Sequence, residues 1–245
     1  LTLAFVYFSK KNNERFFTRH SFEFHRKLFV ELIRKGSSSG LEMFLNMLAF
    51  QVLILLFHGL GSTVATASTI MFNWDMVSFV PLLGLEVAST SLVGRYVGAK
   101  NYEAANRATQ SAIFLGWGYS IVVLFAFLLF PHYLVDMFRP DVVTASFNEA
   151  RTLAVFMVRL AAIYVTMEAI MVVYAGALRG AGDTFWVMCI MVFLNWLTAL
   201  VLWLTVYVFE LGPKIGWLSV VLLFMSFPFI LRIRFKSGQW RNNKV

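Results

Sequence analysis

The stretch Ala154-Val-Phe-Met-Val-Arg159-Leu-Ala-Ala-Ile-Tyr164-Val-Thr-Met-Glu168-Ala-Ile-Met-Val-Val-Tyr174-Ala-Gly-Ala177 decides the reading of this chain. It is long and apolar enough for a helix to cross the hydrocarbon of a bilayer, which takes roughly 20 residues. It also carries a carboxylate in its middle. A charge at that depth costs about 2.5 kcal/mol or more, so acids within spans face a bundle interior and mark ion or substrate paths. Glu168 lies nine residues from Arg159 and eleven from Arg179. At ~1.5 Å of rise per residue, that places it near the bilayer midplane. Tyr164 precedes it by one turn and shares its face.

Working outward, the same character recurs. Apolar residues make up 59% of the 245 and charged residues only 14%, far from soluble averages. Six spans are expected, near 40–58, 63–93, 108–130, 153–178, 185–208 and 214–232. Turn chemistry separates them, as in Gly59-Leu-Gly61-Ser62 and Leu211-Gly-Pro213. The chain opens on Leu1 inside the apolar run Leu1–Phe8, which reads as the tail of a preceding spanning helix. No secretory signal is evident, and the single cysteine, Cys189, excludes an internal disulfide.

The net charge of +8 is a topology signal. Seventeen Lys and Arg fall in 9–39, 94–107, the turn at Arg179 and the C-terminal tail; Arg139, Arg151 and Lys214 occupy the alternate connections. The positive-inside rule then places 9–39 and the C-terminus in the cytoplasm, and no nucleic-acid partner is needed to explain the charge. Segment 14–35 interleaves Phe and Leu with basic residues, as an interfacial helix or a tether does. Gly36-Ser-Ser-Ser-Gly40 after it reads as a hinge.

Other polar residues inside the spans extend the candidate path. Asp75 is the second deep acid, followed after six residues by Pro81, which should kink its helix and free a carbonyl. Glu86 is eleven residues past Asp75, about three turns, so both look the same way. The first span carries Glu42, Asn46 and Gln51, and the fifth carries Asn195-Trp196. Amides in spans commonly bind helix to helix, so these residues suit packing as well as a substrate path. One enzyme template is missing: there is no phosphate-cradling Gly-x-x-x-x-Gly-Lys-Ser/Thr loop. No cofactor is expected.

Two loops carry a family likeness. Tyr174-Ala-Gly-Ala-Leu-Arg-Gly-Ala-Gly-Asp-Thr184 follows the Glu168 helix, and Thr90-Ser-Leu-Val-Gly-Arg-Tyr-Val-Gly-Ala-Lys-Asn-Tyr-Glu-Ala-Ala105 follows the Pro81 span. Together with the Gly59-Leu-Gly61 turn and the tail Arg234-Phe-Lys-Ser-Gly-Gln-Trp240, they resemble the multidrug and toxin extrusion (MATE) family. The resemblance covers nearly all of the chain beyond residue 36.

The resemblance implies an all-α membrane protein, a six-transmembrane-helix bundle forming the C-terminal lobe of a twelve-helix transporter. Residues 1–8 would end a preceding helix and 9–39 would be the cytoplasmic interlobe linker. Residues 40–232 would form the lobe and 233–245 a basic cytoplasmic tail. It also implies a multi-pass protein of the plasma (bacterial inner) membrane. Its activity would be antiport, exporting cationic or amphipathic compounds against an inward H+ or Na+ gradient, with an N-terminal six-helix lobe of the same protein as partner. Glu168 matches the family's cation-binding acid, where Na+ is one candidate ion. Asn46 stands where a second acid often sits, and Asp75 is expected to supply the missing charge, with Tyr164 assisting. The alternatives are a lipid-linked oligosaccharide flippase of related architecture and a membrane-embedded enzyme or scaffold.

Overall fold

In the computed structural model, residues 24–140 and 145–242 are described. The chain divides into two compact units, residues 1–38 and 39–245. The expected helix end at 1–8 and most of the basic segment before Phe24 lie outside the described residues.

The order is all-helical among the described residues: α1 (Arg26–His58), α2 (Ser62–Gly98), α3 (Tyr102–Leu129), α4 (Pro131–Asp136), α5 (Ala145–Gly180), α6 (Thr184–Trp203), α7 (Gly212–Phe224) and α8 (Phe227–Lys236). A π-helical turn, Leu204–Val208, extends α6, and a short 3₁₀ turn, Gln239–Asn242, follows α8. Six segments are long and apolar enough to span a membrane: Gly36–His58, Ser62–Gly98, Tyr102–Leu129, Phe147–Gly180, Thr184–Val208 and Gly212–Lys236. They coincide with the six expected spans but run longer, because polar and charged terminal turns, such as 102–107 and 147–152, remain helical. Two expectations change. Gly36–Gly40, read as a hinge, is helical within α1. The sixth span is two helices, α7 and α8, joined at Met225-Ser226 with Pro228 in the first turn of α8, a position where proline loses no helical hydrogen bond.

The unit from Ser39 onward is built around α5. Its residues Met171 to Leu178 are buried without interruption, as suits a helix apolar on every side. α2 packs along it in parallel, in a register set by paired contacts. Tyr164 meets Asp75, Thr90 Oγ1 donates to the Gly176 carbonyl at 3.0 Å, and Gly94 faces Gly180. α3 runs antiparallel to both. Gly116 packs on Ala169 and Leu85, and the Tyr119 hydroxyl donates to the Ser78 carbonyl at 2.9 Å.

Glycine at two positions of α5 permits this approach. A Cβ on Gly176 would lie 2.6 Å from the Glu86 carbonyl oxygen, and one on Gly180 would lie 2.3 Å from that of Thr90. Small residues spaced by four let membrane helices pack backbone to backbone. The turn that follows reverses at Gly182, whose φ of 80° is left-handed. Asp183 there takes a two-pronged contact from Arg234, at 2.7 and 3.0 Å. The residues after α8 fold back as a cap: Trp240 is fully buried, donates to the Phe235 carbonyl at 2.7 Å and meets Tyr102 edge-on. At the opposite end, Arg151 donates to both oxygens of Asp136 at 2.5 and 2.7 Å.

Two predictions follow from this packing. Gly176→Ala and Gly180→Ala should each lower thermal stability by about 2 kcal/mol through overpacking. Gly84→Ala, where the added methyl meets nothing within 4 Å, should leave the melting temperature unchanged; equal melting of all three variants contradicts the close approach. The second concerns acid. Hydrogen bonds from Arg151 hold the Asp136 carboxyl below its ordinary value of 3.8. The folded form therefore gains stability above that value and loses it as pH falls below it. Both side chains are 37% exposed, so screening limits the loss to under ~1 kcal/mol. Asp136→Asn should flatten the acid limb of a stability–pH profile by that small amount.

Candidate functional site

The parallel register of α2 and α5 brings two acids together inside the bundle. Tyr164 on α5 donates its hydroxyl to Asp75 Oδ1 on α2. One turn further along α5 is Glu168, 8% exposed and within electrostatic reach of Asp75. Oε2 of Glu168 is buried without a hydrogen-bond partner. No arginine or lysine pairs with either acid among the described ion pairs. Asp75 is only half-buried, so the pair has a less enclosed side on α2.

Aromatic packing fixes the tyrosine that links the pair. The Tyr164 ring lies 5.9 Å from Phe224 and 6.3 Å from Trp217, centroid to centroid. Trp217 is itself anchored, its indole N–H donating to the Met157 carbonyl at 3.1 Å. Phe224 stacks on Phe227 across the α7–α8 joint. The break in the sixth span therefore delivers the aromatic wall that holds Tyr164 in place. Tyr119 of α3 is also within electrostatic reach of Glu168. Pro81 lies inside α2, which stays helical from Ser62 to Gly98.

Eleven residues along both helices is a second cluster. Arg179 of α5 donates to Glu42 of α1 at 2.5 Å and to Glu86 of α2. Its side chain is 19% exposed, against 3% for Glu42 and 21% for Glu86. One guanidinium thus ties three helices together and answers two carboxylates, while Glu42 Oε2 stays buried and unpartnered. The sequence placed Glu42 on the first span with Asn46 and Gln51; the shared cation was not visible, because Arg179 lies 137 residues away, in the last turn of α5.

The remaining candidates separate. Asn195 on α6 donates to Asn46 Oδ1 at 3.2 Å and to the Met191 carbonyl at 2.9 Å, a helix-to-helix link between α1 and α6. No described contact joins Asn46 to the acid pair. Gln51 is exposed on α1 and Trp196 is 40% exposed on α6. Arg159, the deep cation of α5, is exposed and lies 3.5 Å from His132. No group of three or more His, Cys, Asp or Glu suited to a metal occurs among the described residues.

A family model described as MatE matches residues 39–204. The chain belongs to the MATE family. Among curated relatives of this MATE chain, "Probable multidrug resistance protein NorM" of Thermotoga maritima is 28% identical over 220 residues, covering 88% of the chain and 45% of the relative. "Multidrug resistance protein MdtK" of Proteus mirabilis is 27% identical, covering 82% and 43%. The chain spans about half the length of the curated relatives it matches. Among solved structures, a MATE protein in complex with MaL6 superposes with a TM-score of 0.83 at 18% identity, over 96% of this chain and 53% of its own. A MOP superfamily transporter from Pyrococcus furiosus gives 0.81 at 18% identity, over 91% and 50%. These likenesses establish the fold of one MATE lobe. With the six apolar helices, they make the chain a multi-pass membrane protein.

Removing the shared cation of this MATE lobe leaves two carboxylates facing each other. Breaking a buried ion pair from one side costs about 3 kcal/mol. Arg179→Gln should therefore lower stability by roughly that amount in detergent unfolding, and adding Glu42→Gln and Glu86→Gln should recover most of it. A single Arg179→Gln variant as stable as the parent contradicts the cluster.

Proposed function

We propose that the chain is one lobe of a cation-coupled antiporter that exports cationic or amphipathic drugs, with Glu168, Asp75 and Tyr164 forming its ion-coupling site. The observation that carries this reading is the buried carboxylate of Glu168, with one unpartnered oxygen and a second acid beside it. Two negative charges in a low-dielectric interior are costly unless neutralised or paired. A proton, or Na+ taken by the two carboxylates with the Tyr164 oxygen, supplies the neutralising charge. A cationic substrate satisfies the same acids.

Exclusive occupancy then couples the fluxes. If ion and substrate favour opposite-facing states, each shifts the population away from the other. Alternating access would bring in a second six-helix lobe, in line with relatives twice this length. The basic end of the bundle, with Arg95, Lys100, Arg107, Arg179 and the residues after α8, would face the cytoplasm of a bacterial inner membrane by the positive-inside rule. A flippase for pyrophosphate-linked sugars would want cations along its cavity, and the exposed position of Arg159 beside His132 speaks against it.

The test is efflux of a cationic dye from cells making the complete transporter that carries this lobe. Glu168→Gln should abolish ion-dependent efflux. Asp75→Asn should slow it by about tenfold or more, as a loss near 1.4 kcal/mol gives. Collapsing the pH gradient and the sodium gradient separately identifies the ion. Undiminished efflux from the Glu168→Gln variant, at equal membrane abundance, overturns the assignment.

A further inference from the structure

The part of α1 from Ser39 to His58 is held in two different ways along its length. Close backbone approach joins the other spanning helices, whereas α1 meets them mainly through side chains. In its far half, 49–58, Ala49, Leu53 and Phe57 are buried, spaced by four on one face. Phe57 lies edge-on to Phe72 and Trp217, at 6.2 and 5.9 Å between centroids. The Tyr207 hydroxyl donates to the Leu56 carbonyl at 2.8 Å, and glycine at 59 makes room for it, since a Cβ there would lie 2.3 Å from that oxygen. Apolar burial and a close clamp fix this end.

From Ser39 to Leu48, toward the basic end, the pattern reverses. Leu41, Met43, Phe44, Met47 and Leu48 are exposed, and the one buried side chain is Glu42. An apolar half-helix is thus attached through a carboxylate, with the Asn46–Asn195 hydrogen bond as a second tie. Separating a buried ion pair normally leaves one charge uncompensated. Here neither charge is left so. Arg179 holds Glu42 with one guanidinium nitrogen and Glu86 with the other, so it keeps an acid when Glu42 departs. Glu42 Oε2 has no partner while the helix is in place. The residue lies six from the start of the span Gly36–His58, near enough to the interface for water to complete its hydrogen bonds on release.

We propose that α1 is a swinging strap, hinged at Leu53–Phe57 and closed at the basic end by an ionic latch between Glu42 and Arg179. With the latch closed, residues 39–48 lie against the end of α5 and against α6. Released, that half-helix moves outward as a lever and opens the bundle beside Arg179 and Asn195. Hinged motions place the backbone change at the end of an element, and Gly61, with a left-handed φ of 108°, follows α1 directly. Glu86 keeps Arg179 in position in both states, so the latch can close again. The inference is independent of which ion or substrate the acid pair takes.

The test uses the full-length protein that carries this chain, in lipid nanodiscs, with Cys189 and any other native cysteine replaced by serine. Spin labels are paired at exposed positions, Met43→Cys with Phe185→Cys at the basic end and Leu55→Cys with Phe209→Cys at the far end. Pulsed electron resonance reads both distances. Met43 is about 15 Å along the helix from Leu53, so a swing of about 20°, the size of a sharp helix kink, moves it by roughly 5 Å. Glu42→Ala should lengthen the basic-end distance by about that amount and leave the far-end distance where it is. Arg179→Gln should do the same. Glu86→Gln should keep the parent distance, because Arg179 still holds Glu42. An unchanged basic-end distance in Glu42→Ala or Arg179→Gln, equal lengthening in Glu86→Gln, or a far-end distance that shifts together with the basic-end one would each overturn the proposal.

Discussion

The close parallel packing of α2 against α5 is the constraint from which the charged architecture follows. Gly176 and Gly180 remove the side chains that would hold the two backbones apart, and Thr90 then bridges them by donating to the Gly176 carbonyl. With that contact made, every other pairing between the helices is fixed by the helical rise. Asp75 must fall beside Tyr164 and Glu168, and Glu86 beside Arg179. A shift by one residue would turn each partner through about 100° and leave four ionisable side chains facing apolar neighbours.

The two clusters that result are alike in position and opposite in charge design. Both use one acid from α2 and sit eleven residues apart, about 16 Å along the same helix pair. Toward the basic end, Arg179 neutralises most of what Glu42 and Glu86 bring, and α1 is held there by that guanidinium. Near the middle, Asp75 takes the Tyr164 hydroxyl and Glu168 lies one turn further along α5. Balanced charge holds helices together. At the acid pair no fixed cation of the described ion pairs does so.

Spans and their order were legible in the sequence because hydropathy and turn residues are local properties. Glu168 stood out for the same reason: a carboxylate inside an apolar run needs no partner to be noticed. Pairings were harder. Asn46 and Glu42 are both polar candidates of the first span, yet they reach Asn195 and Arg179 on different helices. Nothing in α1 encodes those distant partners. The expected turn at Arg179 begins later, for Arg179 and Gly180 end α5, Gly180 makes the helix contact and Gly182 makes the turn. The cap around Trp240 read as a basic tail because Arg234, Lys236 and Arg241 dominate its composition, and a buried indole depends on Tyr102 far upstream.

Unsatisfied polar atoms tie these threads together. Among the described residues, the buried side-chain atoms without a partner belong to Glu42, Ser89, Ser120 and Glu168. Such atoms are rare in folded proteins because each costs roughly 1–3 kcal/mol. Their distribution here is not random. The Glu42 atom belongs to a carboxylate whose other oxygen takes the Arg179 guanidinium, and the Glu168 atom to a carboxylate with no such partner. Ser120 adjoins Tyr119, whose hydroxyl is already committed to Ser78. At Glu168 the proposed coupling ion would complete the hydrogen bonding, whereas Glu42 keeps the Arg179 guanidinium at its other oxygen.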